Sequence, residues 1–419
     1  MIFHSNDNEV LMRRTQISVL RGLQLVTFTL GGIFFVTSTD NVLPTIDISL
    51  CTEGNNADSR IHCQRAIDAA LRNYGTFIAV GHGIDPAFFY LGFENAKTLF
   101  ALDIDDKTNV SMSLFKDDFG RGYIPFGSEA GVSTYFEIKE GYSYGLPRPN
   151  SSELFVKNNP MESLNVWPQR LSKSVSDGLE SVLLEKLRVT KIILMALIEA
   201  QDTDGTTNDF INSLTTENET DDSKVQGKMI SNNGDSISLM RLFHYFSSES
   251  EGHSEPKTVS MTQNVKKQSK VIIGSSPHTD WGLLTVIMQD EIGGLQFFHE
   301  NQWKDVPRVP FGLVINGGDY LRIISKGRYH SPVHRVLCPP QGKERTSFVF
   351  FYYPGFNSTV TVQQGASFAR DEVVGDFNTL LEVRSDGTTS NSEGASSKTE
   401  TFGDYILRKW QGVTVAVNT

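Results

Sequence analysis

The chain has 419 residues, 39% of them hydrophobic and 21% charged, with a formal net charge of -11. That is chain enough for a sizeable core with the composition of an ordinary globular protein, and the absence of any long basic run argues against nucleic acid as the main partner. Cys51, Cys63 and Cys338 include no Cys-x-x-Cys spacing, so neither a disulfide scaffold nor a zinc knuckle is indicated and all three are read as free thiols.

At the start, Arg13 and Arg14 precede an apolar run over residues 23–36, followed by small residues. A basic stretch, an apolar stretch and small residues are the order of a secretory signal, while the run is short for a membrane span. Residues 1–42 are read as an N-terminal extension: a signal, a membrane anchor or a floppy extension. Membrane association is expected through this segment only.

Residues 43–49 alternate apolar and polar after Pro44, as a short strand should. Ile61, Ala66, Ile67, Ala70 and Leu71 follow at helical spacing over residues 58–74, and a second strand over 75–80 ends at Gly81-His82-Gly83. His82 is assigned to that turn rather than to a metal. Residues 179–200, rich in Leu, Ile, Val, Met and Ala, predict a long helix against the outside of a sheet. Residues 201–235 turn polar and read as an inserted loop, and 236–246 resume a strand. On that strand His244 faces away from Tyr245 and is not counted as a ligand. A second polar stretch, 247–270, reads as another surface loop, with His253 solvated inside it.

Beyond it, apolar residues flank Gly274-Ser275-Ser276-Pro277-His278-Thr279-Asp280, so two strand-like segments enclose an ordered corner. Further strands are read at 293–298, 302–306 and 313–316, with a turn at 317–319 before 321–324. Many short strands with regular turns suggest a closed or double-layered β core. Residues 385–399, rich in Ser, Thr, Gly and Asn, read as a loop or linker.

His278 and Asp280, two apart on extended backbone, project to one side. A neutral imidazole and a carboxylate there can hold a divalent metal, and one more His from a distant strand would complete a two-His-one-carboxylate face with open positions, a set suited to non-haem Fe(II). His330 and His334 compete for that third place. Pro332 between them argues against a helix, and on an extended strand they stand roughly 13 Å apart, so only one can reach the metal; spacing does not choose. Arg345 and Ser347 lie two apart on the next strand. They could be a surface charge and a strand hydroxyl, or a fork and a donor for a carboxylate.

The segments HTDWGLLTVIMQD, GGLQFF, VINGGDYLRIISKGRYHSPVHRV and RTSFVFFYYPGF, in this order, resemble the 2-oxoglutarate- and Fe(II)-dependent dioxygenases of the isopenicillin N synthase-like superfamily. The resemblance extends over most of residues 43–411 apart from insertions, including the strand-helix-strand and His-Gly turn near the start and a closing helix at 402–410. It implies a mainly β fold with flanking helices and a double-stranded β-helix (jelly-roll) core. The implied division is 1–42 as extension, 43–145 as the N-terminal region, 146–235 as helical support and polar insertion, and 236–411 as the catalytic core. It implies Fe(II) on His278, Asp280 and His334, with 2-oxoglutarate held by Arg345, Ser347 and Tyr245. Phe243 stands where the family often has Asn, which removes one co-substrate contact. The implied reaction consumes dioxygen and 2-oxoglutarate, releases succinate and CO2, and hydroxylates, desaturates or ring-closes a small organic metabolite. An oxidase with the same iron ligands but no 2-oxoglutarate, and a non-catalytic binding protein of this fold, are the alternatives. A monomer is expected, cytoplasmic by family habit unless the N-terminal segment directs or anchors it elsewhere.

Overall fold

The structure is a computed structural model. It describes residues 43–52, 54–112, 120–129, 134–147, 161, 163–202, 237–247, 268–363 and 397–417, with short strands at 26–30, 33–37, 215–216, 229–230 and 257–261. Contacts divide the chain into two compact units, Met1–Val42 and Leu43–Thr419. In the first, β1 (Val26–Leu30) and β2 (Ile33–Thr37) pair antiparallel, Val26 opposite Thr37. The apolar run expected as a signal or anchor is therefore a β-ribbon where it is described. Among the described residues no helix is long and apolar enough to cross a membrane.

The second unit begins with β3 (Thr45–Asp47), α1 (Ala57–Asn73), β4 (Thr76–Val80), α2 (Pro86–Phe100) and α3 (Ile104–Thr108). Next come β5 (Gly122–Ile124), β6 (Tyr135–Glu137), β7 (Lys139–Gly145) and α4 (Lys173–Asp202). Short β8 (Thr215–Thr216) and β9 (Met229–Ile230) precede β10 (Leu239–Tyr245), β11 (Lys257–Met261), β12 (Gln268–Ile273), β13 (Ser275–His278) and β14 (Leu284–Gln289). The chain continues through β15 (Leu295–His299), β16 (Gln302–Asp305), β17 (Leu313–Gly317), α5 (Asp319–Ile324), β18 (His334–Val336) and β19 (Arg345–Tyr352). It closes with β20 (Thr359–Gln363), β21 (Ser397–Thr401) and α6 (Phe402–Val417).

An eight-stranded sheet, ordered β3-β4-β17-β14-β19-β10-β7-β5, faces a four-stranded sheet ordered β13-β18-β15-β16. Strand alternation gives the large sheet two buried faces. Phe243, Tyr245, Ile287 and Val314 point inward and pack with Leu295, Phe297 and Val336 of the small sheet. Leu242, Val286, Phe348 and Phe350 point outward into a second core with Leu179, Val182, Leu183 and Ile193 of α4 and with residues of α1 and α2. The helices brace one side of the sheet, and the space between the sheets is left for a site.

Local rules account for the braces. Asn56 caps α1 by accepting from Ser59 N at 2.8 Å, and the helix buries Cys63, Ile67, Ala70 and Leu71 along one stripe. That stripe corrects the free-thiol reading. Cys63 turns toward the short 3-10 turn Ile48–Cys51 and is disulfide-bonded to Cys51, with Cα atoms 5.4 Å apart. Cys338 is buried and in no disulfide, as expected.

One other expectation changes. The polar stretch 247–270 holds the hairpin partners β11 and β12, Lys257 opposite Ile272 and Met261 opposite Gln268, with β6 added in parallel. The segment after the turn at 317–319 is helical: Gly318 opens α5, and Asp319, Tyr320, Leu321 and Ile324 are buried on it. His253 and most of 201–235 and 385–399 lie outside the described residues.

Candidate metal and co-substrate site

Strand β13 is fixed before it reaches the first ligand candidate. Glu137, ending β6, accepts a hydrogen bond from Ser276 N at 2.6 Å. β13 then pairs antiparallel with β18, and His278 stands directly opposite His334. Register thus brings His334 beside His278. His330 lies before β18, and its N donates to Leu71 O of α1 at 3.0 Å.

After His278 the chain turns tightly through Trp281-Gly282. A Cβ on Gly282 would lie 2.5 Å from Tyr352 O, and one on Gly318 would lie 2.2 Å from Gly282 O. Only backbone fits at this crossing. The turn is tied down by Asp319 N, which donates to Asp280 O at 2.7 Å. Thr279 Oγ1 donates to Asp319 Oδ2 at 3.2 Å, and Lys409 of α6 meets the same oxygen at 3.3 Å.

One ligand atom from each of His278, Asp280 and His334 falls within 4.8 Å of the other two. Asp280 Oδ1 is 3.9 Å from His278 Nε2 and 3.7 Å from His334 Nε2, and the imidazole centroids are 4.3 Å apart. Each ring is oriented through Nδ1, to Ser276 O at 2.7 Å for His278 and to Pro332 O at 3.1 Å for His334. A carbonyl only accepts, so Nδ1 carries the proton and each Nε2 turns a lone pair toward Asp280. The Asp280 side chain is 1% exposed, and its Oδ2 has no hydrogen-bond partner among the described residues. A buried carboxylate facing two lone pairs is costly by itself, and a divalent cation between them removes the conflict. Desolvation, helped by the charge of His334, pushes the His278 imidazole down to about 4. Its side chain keeps 42% of its surface open, which tempers the desolvation; the second imidazole acts in the same direction.

The other expected residues meet on β10 and β19. Tyr245 stands opposite Arg345, and Phe243 opposite Ser347. Arg345 is 1% exposed, stacks over the Tyr245 ring at 4.7 Å and donates from Nη2 to Gln289 Oε1 at 2.9 Å. Its Nε and Nη1 have no hydrogen-bond partner among the described residues. Ser347 Oγ donates to Tyr245 Oη at 3.4 Å. A buried guanidinium with two unmet nitrogens beside two hydroxyls offers the donors that a carboxylate would need.

His82 and His244 serve the frame. His82 Nε2 bonds Phe311 O at 2.7 Å and Nδ1 accepts from Ile84 N at 3.1 Å, closing the turn after β4. His244 faces away from Tyr245 and sits between Glu140, 3.0 Å from Nδ1, and Glu344, 3.0 Å from Nε2. Sequence reading missed Gln289, which orients Arg345, and Glu137, which pins β13. It also missed Arg241, which shares the inward alternation of Phe243 and Tyr245; that alternation was the available signal.

Two family models match the chain. The 2OG-Fe(II) oxygenase superfamily covers residues 236–354, and the N-terminal region of non-haem dioxygenases in morphine synthesis covers 43–170. A Dictyostelium discoideum protein named as a probable iron/ascorbate oxidoreductase is 30% identical over 77% of this chain and 84% of its own length. The 2-oxoglutarate-dependent dioxygenase caaD of Aspergillus niger is 26% identical over 77% of this chain and 88% of its own. Among solved structures, a full-length Neurospora crassa protein in complex with alpha-KG superposes with a TM-score of 0.61 at 20% identity, over 89% of this chain and 97% of its own. That likeness establishes the double-stranded β-helix. The chain belongs to the 2-oxoglutarate- and Fe(II)-dependent oxygenase superfamily. It is an oxidoreductase whose cofactor and co-substrate are Fe(II) and 2-oxoglutarate.

Proposed function

We propose that His278, Asp280 and His334 hold Fe(II), and that Arg345, Ser347 and Tyr245 hold the distal carboxylate of 2-oxoglutarate. We further propose that the enzyme hydroxylates or desaturates a small organic metabolite, with release of succinate and CO2. The observation that carries this reading is the pair of unmet buried demands: the Asp280 carboxylate facing two Nε2 lone pairs, and the Arg345 guanidinium with Nε and Nη1 unmatched.

Bound there, iron with 2-oxoglutarate supplies the activation of dioxygen that substrate oxidation needs. The residues supply geometry. Ser276 O and Pro332 O fix the tautomers and ring planes of the two imidazoles. Gln289 holds the Arg345 guanidinium in place and leaves Nε and Nη1 free to donate to a carboxylate. The inward packing of Phe243, Leu295, Phe297 and Val336 keeps bulk water from the co-substrate.

The test is anaerobic titration of the purified chain with Fe(II) and then 2-oxoglutarate, followed through the weak visible charge-transfer band of a chelated keto-acid. The band is expected in the wild type and lost in Arg345→Ala. Iron binding without a band would reject the co-substrate assignment, and no iron binding would reject the metal assignment.

A further inference from the structure

The inner faces of β10 and β19 differ from end to end. Tyr245, Arg345 and Ser347, at the co-substrate end, are buried. Four residues back along β10, roughly 13 Å on a strand, Arg241 stands opposite Val349, and Arg241, Val349 and Phe351 are partly exposed. The pocket is therefore sealed where 2-oxoglutarate is assigned and opens toward Arg241.

Arg241 lies beside the metal site. Nη1 donates to Glu129 Oε1 at 2.6 Å, and the guanidinium lies over the Trp410 ring at 5.1 Å. Trp410 meets Trp281, the residue after Asp280, edge to face at 5.6 Å. Nη2 of Arg241 is buried without a hydrogen-bond partner among the described residues. Two other cations make the comparison: Arg328 puts Nε and Nη2 on Asp68 at 3.1 and 2.9 Å, and Lys139 is ion-paired to Glu137 at 2.8 Å. Arg241 differs from them in keeping Nη2 open on the side where substrate must enter.

Resting on the iron and 2-oxoglutarate assignment above, we propose that Arg241 is the substrate-orienting residue. It donates Nη2–H to an acceptor oxygen, carbonyl or carboxylate, of a substrate whose apolar body lies against Trp281, Trp410 and Phe351. A guanidinium only donates, so the partner must be an acceptor. The wall is already charge-balanced, Arg241 against Glu129 and Lys139 against Glu137, so an uncharged carbonyl needs no further counter-charge there. A carboxylate would bind through the same N–H and carry its own charge in, and affinity tells the two apart.

The experiment uses the full chain with Fe(II) and 2-oxoglutarate under anaerobic conditions. The probes are indole-3-acetamide, indole-3-acetate and 3-ethylindole at millimolar concentration, and the readouts are perturbation of the charge-transfer band and the rise in Tm. In the wild type the amide or the acid is expected to perturb the band and raise Tm, with 3-ethylindole inert. Arg241→Met should weaken the oxygenated probes at least about tenfold, a loss of about 1.4 kcal/mol, and Arg241→Lys should recover part of it. The band itself, formed before any probe is added, should persist in both variants. The proposal is overturned if Arg241→Met binds the probes like wild type, if 3-ethylindole binds as well as its oxygenated relatives, or if no probe acts. A missing band in the wild type would instead reject the underlying iron and 2-oxoglutarate assignment, and the Tm readout alone would then decide on Arg241.

Discussion

Two basic side chains, Lys186 and Arg345, are buried on opposite faces of the same β14–β19 strand pair, each 1% exposed. Lys186 reaches in from α4 and donates from Nζ to Val286 O at 3.0 Å and Phe348 O at 2.7 Å. Burial drives its pKa well below the usual lysine value, toward the neutral amine. Arg345 cannot take that route, because a guanidinium stays protonated. It remains charged, with one nitrogen on Gln289 and two unmatched. Similar burial thus marks opposite states: a satisfied amine braces the sheet, and a guanidinium keeps donors open toward the interior.

The contrast can be broken by mutation. Asp280→Ala should have the largest effect, abolishing Fe(II) binding and lowering turnover by more than about 100-fold, beyond the range for groups that only orient ligands; iron stoichiometry and 2-oxoglutarate consumption measure both. Lys186→Met should remove the two bonds to the Val286 and Phe348 carbonyls and lower stability by about 1–3 kcal/mol, read by urea denaturation, while Fe(II) binding persists. Loss of iron instead would show that the outer brace shapes the inner site.

Arg345→Lys keeps a charge but loses the planar fork, and should raise the KM for 2-oxoglutarate about tenfold. An unchanged KM would mean that the fork is not used. The smallest effect concerns His244, on the outward side of β10. Burial alone would lower its pKa, but the hydrogen bonds to Glu140 and Glu344 outweigh it and raise it above 6.5. Its charged form therefore stabilises the fold fully below the unfolded value, and that contribution is lost as pH rises through the raised folded value. Wild type should lose more stability than His244→Gln across that interval, and parallel pH profiles would discount the ion pairs.

How far the sequence could be read follows the same division. His278, Asp280, Arg345 and Ser347 are legible because strand alternation puts residues two apart on one side. His334 needed the register of β13 on β18 to be distinguished from His330 on physical grounds. Arg241, Glu129 and Trp410 converge from β10, a loop and the closing helix, so no local pattern joins them. β11 and β12 were hidden by their Ser, Lys and Gln content, although Thr258, Val259, Ser260 and Met261 alternate as strand residues do. The Cys51 and Cys63 pair was misread because cysteine counting sees spacing and overlooks the buried stripe of α1 that turns one thiol toward the other.

That disulfide also ties the stability of the N-terminal helix to the chemistry of the surrounding solution. It closes a loop across a sequence separation of 12 residues, and constraining a loop of that size contributes about 3 kcal/mol in the chain-entropy model. A reducing medium withholds the contribution and an oxidising one grants it, with no change at His278, Asp280 and His334. The same polypeptide thus has two resistances to unfolding, set by the thiol–disulfide balance of the medium in which it folds.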